Sequence, residues 1–144
     1  MTSSQYEHDF YAWANEQAAL LRTGRLAEAD LALIADEIES MGKTEKRELV
    51  SRLTVLLLHL LKWERQPGLR GNSWRLSTAN ARDEIAEALD DNPSLKPQLG
   101  EAVATAYRYA RRKAVIETDL PEDTFPAVCP WSFAVATDED FWPA

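Results

Sequence analysis

A single cysteine, Cys129, stands in 144 residues, so no disulfide can close within the chain and no cysteine-based zinc site can form. Histidine is almost as scarce, with only His8 and His59. A di-metal centre of the kind built in helical bundles needs Glu-x-x-His on two helices, and no Glu-x-x-His occurs here. The chain also lacks a G-x-S-x-G elbow, a Walker loop and H-E-x-x-H, so the common nucleophile, phosphate-cradle and metalloprotease motifs are absent. No metal site and no cofactor is expected. The opening MTSSQYEHDF has no basic region followed by an apolar run, the signature of a secretory signal. The longest apolar run, LTVLLLHLL over 53–61, falls far short of the roughly 20 residues that cross a bilayer. The expected compartment is the cytoplasm, without membrane contact.

What is present organises itself around that run. Its leucines stand at 53, 56, 57, 58, 60 and 61 and occupy every side of a helical projection, as in a helix enclosed by others. The pattern predicts an all-α fold, a single-domain bundle of about five helices around a buried central helix from Thr44 to Gln66, spanning residues 1–118. A first helix is expected over Tyr6–Thr23, with Asp9 at its start and Thr23-Gly24 as its stop. A second runs from Ala27, or from Asp30 as cap, to Met41. Gly42 should end it, making it the antiparallel neighbour of the central helix across a short turn. Pro67 closes the central helix. A fourth, capped by Asn72 or Ser73, extends to about Asp90, and a fifth from Ser94 to about Thr118. Prolines 121, 126, 130 and 143 prevent a long helix in residues 119–144. That segment reads as a proline- and aromatic-rich strap, anchored by Leu120, Phe125, Trp131, Phe133, Phe141 and Trp142.

The net charge of −8 is unevenly spread: −6 over residues 1–42, +6 over 43–82 and −8 over 83–144. A basic middle between acidic ends is the pattern of helices pairing within one domain, and the overall balance disfavours nucleic acid. Glu45, Arg52, His59 and Gln66 fall on one stripe of the central helix, with Lys62 and Trp63 beside it. The antiparallel turn would put Arg52 against Asp36 or Glu37, and His59 against Glu28 or Asp30. The candidate pocket or polar network is therefore Asp36, Glu37, Arg52, His59, Trp63, Gln66 and Trp74, with His59 read as structural. Arg70 and Arg75 in GLRGNSWR could hold an anion, but a solvated turn accounts for them. The cluster Arg108, Arg111, Arg112 and Lys113 suits solvent or pairing between helices.

The phrases FYAWANEQAALLRTGR, DEIESMG, RELVSRLTVLLLHLLKWERQP, NPSL, CPWSF and DEDFWP resemble the bacterial domain-of-unknown-function family 29 over essentially the whole chain. The resemblance implies an all-helical bacterial protein and carries over no catalytic residue. Function is expected to be that of a small acidic helical module that binds a protein partner or itself. The alternatives are an enzyme or ligand-binding protein with a polar pocket around His59, and a nucleic-acid-linked regulator such as a toxin–antitoxin component.

Overall fold

Leu49, Leu56, Leu57, Leu60 and Leu61 expose no surface at all, and the helix that carries them is the longest element of the chain. The computed structural model describes residues 3–144. Its order is α1 (Ser3–His8), α2 (Phe10–Arg22), α3 (Leu31–Arg65), α4 (Asn72–Asp91), α5 (Leu99–Thr118) and α6 (Phe133–Thr137), joined by short 3-10 turns, with no strand among the described residues. The chain divides into two compact units, Met1–Thr44 and Glu45–Ala144.

In the first unit Asp9 caps α2, its carboxylate accepting the Ala12 N–H at 3.1 Å. Gly24 ends the segment at φ 73°, a conformation only glycine adopts freely. Asp30 ties α2 to the start of α3. Its carboxylate accepts from Trp13 Nε1 at 2.9 Å, and its backbone N–H donates to the buried Gln17 side chain at 2.7 Å. Trp13 and Gln17 are the only described side chains of this unit that are buried. Leu31, Ile38 and Met41, which share one side of α3, are exposed at 52%, 63% and 67%.

The expected turn at Gly42 does not occur. Helix α3 runs unbroken through Gly42, Lys43 and Thr44, and Thr44 folds its hydroxyl back onto the Ser40 carbonyl at 3.0 Å instead of capping a new helix. A glycine stops a helix when it takes the left-handed conformation, and Gly24 is the only described glycine that does. The antiparallel pairing built on that turn falls with it.

In the second unit the register can be read from ion pairs. Lys46 meets Glu101 at 3.2 Å and Lys62 meets Glu117 at 2.9 Å; equal steps on both helices mean that α3 and α5 run parallel. Arg52 meets Glu84, and Glu45 meets Asn92, so α4 runs antiparallel to α3. Such half-exposed pairs mark the register more than they stabilise it. The core does that work, where the α3 leucines meet Ala102, Ala106, Ala110 and Ala114, all at or below 1% exposure. An alanine every fourth residue keeps one face of α5 smooth, so that leucines can fill the space between the helices at high density. From the other side Ile85 and Leu89 of α4 complete the cluster. Helix α5 begins at Leu99 rather than Ser94, because Pro93–Gln98 forms a 3-10 turn. It ends at Thr118 with Asp119 left-handed at φ 58°.

The strap is packed on this unit as expected. Phe125 is buried, and Leu120, Trp131, Phe133, Phe141 and Trp142 lie half-buried against the leucine core. Its short helix α6 is capped by Ser132.

Candidate functional site

The residues expected as one pocket fall in both of the compact units. Asp36 and Glu37 belong to the first unit, where Glu37 accepts a hydrogen bond from the Tyr6 hydroxyl. Arg52, His59, Trp63, Gln66 and Trp74 belong to the second. Arg52 pairs with Glu84 at 3.1 Å and Glu48 at 3.6 Å, not with Asp36 or Glu37. His59 donates from Nδ1 to the Val55 carbonyl one turn back, at 2.8 Å, rather than to Glu28 or Asp30. A 230 Å³ depression lies between α3 and α4, lined by Arg52, Val55, Ser77, Asn80, Ala81 and Glu84; His59 does not line it. Gln66 ends α3, its N–H bonded to the Lys62 carbonyl.

Trp63 and Trp74 have a different use. Trp63 packs on Trp142 of the strap with ring centroids 4.1 Å apart. Arg70 and Arg75 both lie over the Trp63 ring at 5.1 Å, and Lys62 lies over Trp74 at 4.9 Å. Arg70 of the loop and Arg75 of α4 thus both engage an aromatic face, and Arg70 also donates to the Trp63 carbonyl at 2.7 Å.

Three side chains fasten the strap through its backbone, a role that the sequence pattern does not show. Arg82 is 5% exposed and donates to the carbonyls of Ala136 (3.0 Å), Glu139 (3.3 Å) and Phe141 (2.7 Å). Burial lowers the pKa of its guanidinium, and the acids Asp138, Glu139 and Asp140 work against that shift. Tyr107 donates to the Pro126 carbonyl at 2.6 Å, and burial pushes its phenol up to about 12. Arg111 reaches the Phe125 carbonyl at 3.2 Å and Glu122 at 2.9 Å.

Between α5 and the strap these contacts leave a groove of about 770 Å³, running beside α5 from Gly100 to Ile116. Tyr107, Val103, Val115 and Cys129 line it together with the strap residues Val128 and Trp131, and Arg108, Arg111 and Arg112 lie along it. Arg111 is engaged with the strap. Arg108 lies over Tyr109 at 5.3 Å, and neither Arg108 nor Arg112 has an ion-pair partner among the described residues. The groove therefore combines apolar side chains with three arginines and one carboxylate, Glu122, and so is positive on balance on a chain whose net charge is −8. The Cys129 thiol is half-buried, donates to the Trp131 carbonyl at 3.2 Å, and is pushed up in pKa by burial. A raised pKa keeps it a thiol rather than a nucleophilic thiolate.

Fold and groove define a small all-α bundle protein with a strapped core and a basic, apolar surface channel. The chain belongs to the family described as domain of unknown function DUF29, whose model matches residues 5–142. No curated protein and no solved structure matches it.

Proposed function

We propose that this protein is a bacterial protein–protein interaction module whose groove between α5 and the strap receives an acidic amphipathic helix of a partner. One observation carries the reading: a partly apolar channel, whose only lining carboxylate, Glu122, pairs with Arg111, holds two further guanidinium groups, Arg108 and Arg112, with no ion-pair partner among the described residues. Helix-in-groove recognition lays apolar side chains at i, i+3, i+4 and i+7 into such a channel, and rim charges set orientation and encounter rate. Ile116 and Val128, 69% and 79% exposed, stand at the mouth as further apolar contact. That open mouth suits a helix better than a small ligand, which a pocket encloses over most of its surface. Catalysis finds little support, because Tyr107 and Cys129 are both held toward their protonated, less reactive forms. No helix among the described residues is long and apolar enough to cross a membrane, and a free thiol at Cys129 suits the reducing cytoplasm.

A photo-crosslinking residue at Val128 of the full chain, produced in its own cell, tests the reading. We expect a protein adduct whose crosslinked peptide is acidic and helical, lost in the Arg108→Glu/Arg112→Glu variant and absent when the crosslinker stands at Leu76 on α4. An adduct indifferent to the charge reversal, or no protein adduct, overturns it.

A further inference from the structure

We infer that the helix received by the groove is that of a second copy of this chain: the stretch Leu31–Met41 of α3. The inference rests on the docking reading above and names its partner. The stretch has the required apolar spacing. Leu31, Ile38 and Met41 recur at i, i+7 and i+10 on one side of α3, more than half exposed, while the half-buried Ile34 fills the i+3 position. Among the described residues Leu31, Ile38 and Met41 stand more than half in water, and an exposed apolar stripe with a polar rim is the mark of a contact surface.

Charge complementarity chooses the occupant. Glu37, which accepts from the Tyr6 hydroxyl, and Glu39 flank the stripe on either side, in a segment, residues 1–42, with 8 acidic and 2 basic side chains. The groove carries Arg108 and Arg112 one turn apart on α5, without ion-pair partners among the described residues. The groove is long enough as well: Leu31 to Met41 spans roughly 15 Å of helix, and Gly100 to Ile116 roughly 24 Å. Each copy has one stripe and one groove, so the contact is heterologous. It closes as a reciprocal pair or continues as a chain of copies.

Analytical ultracentrifugation of the full chain over its accessible concentration range tests this with two surface variants. Arg108→Glu/Arg112→Glu disables the groove and Ile38→Ser/Met41→Ser the stripe; circular dichroism verifies that both remain helical. We expect wild-type self-association, with an apparent Kd raised at least about tenfold in each variant alone. Mixing the two variants should form a 1:1 complex, because one retains its stripe and the other its groove. Should a variant lose its helicity, the single exposed change Glu39→Lys takes its place, with weakened association expected again. A wild-type chain that stays monomeric, an oligomer that neither variant weakens, or a mixture that stays monomeric overturns the inference. If the Val128 adduct nonetheless disappears on charge reversal of the groove, and its partner is another protein, only the self-contact has failed and the docking reading stands. If the adduct ignores the reversal, both have failed.

Discussion

Tyr107 joins core to surface in one side chain. Its ring is buried, and its hydroxyl holds the Pro126 carbonyl of the strap. Burial keeps the phenol protonated up to about 12, against an ordinary value of 10.0. Between those values the native chain retains a proton that the unfolded chain has released, so the unfolded state binds fewer protons and stability falls as pH rises. The contribution is complete below about pH 10 and lost as pH passes through about 12. Tyr107→Phe should cost about 1 kcal/mol at neutral pH through the lost hydrogen bond and should flatten the alkaline arm of stability. Urea titrations at neutral and alkaline pH check both; an unchanged alkaline slope in the Phe variant would assign it elsewhere. Residue identity alone made the buried leucines legible, since no other arrangement hides an all-round apolar helix. It could not reveal Arg82. Its acceptors are carbonyls 54, 57 and 59 positions away, and a carbonyl has no residue signature. Nothing in the letters separates Arg82 from Arg75, which lies over a tryptophan.

Gly42 decides an element. Read as a stop, it folds the second helix back along the central one and assembles Asp36, Glu37, Arg52 and His59 into a site. Read as a helical residue, it leaves those side chains in separate units. Apolar period and glycine position admit both readings, because a mid-helix glycine costs only about 1 kcal/mol relative to alanine. The expected pairing of Asp36 or Glu37 with Arg52 rested on that one turn, while helix type and most boundaries were legible from caps and prolines. A Cβ at Gly42 meets nothing within 4 Å. Gly42→Ala should then stabilise α3 by up to about 1 kcal/mol, seen as slower amide exchange around residue 42. Faster exchange would restore the turn. The strap permits an equally local test. Arg82→Met keeps the apolar stem but strands three carbonyls, and charge-assisted hydrogen bonds are worth about 1.5–3 kcal/mol each. A loss of about 3 kcal/mol is expected, with proteolytic sensitivity confined to residues 119–144. A stable, protease-resistant variant would mean that Trp142 and Phe125 hold the strap without it.

Taken whole, the chain distributes its burial unequally, and this shapes how it unfolds. The second unit encloses the leucines of α3, the alanines of α5 and Phe125 in one cluster, whereas the described side chains of the first bury only Trp13 and Gln17. Hydrophobic burial is the main term opposing chain entropy, so the two units should not share one stability. Amide exchange ought to divide along the same line, since local opening free energies range from near zero to the global value with local burial. Amides of α1, α2 and α3 up to Thr44 should exchange in a low-stability class. Those from Leu49 to Leu61 should exchange only on global unfolding, and urea should resolve an early helical loss before the main transition. Net charge adds a condition. The first unit carries a charge of −6 over residues 1–42, and like charges oppose its compact state. Salt screens them within a Debye length of about 8 Å at physiological strength, so the early transition should move to higher urea with added salt while the late one barely moves. A single transition with uniform protection from Ser3 to Thr118 would show that α3 transmits the stability of its leucine half to its exposed half.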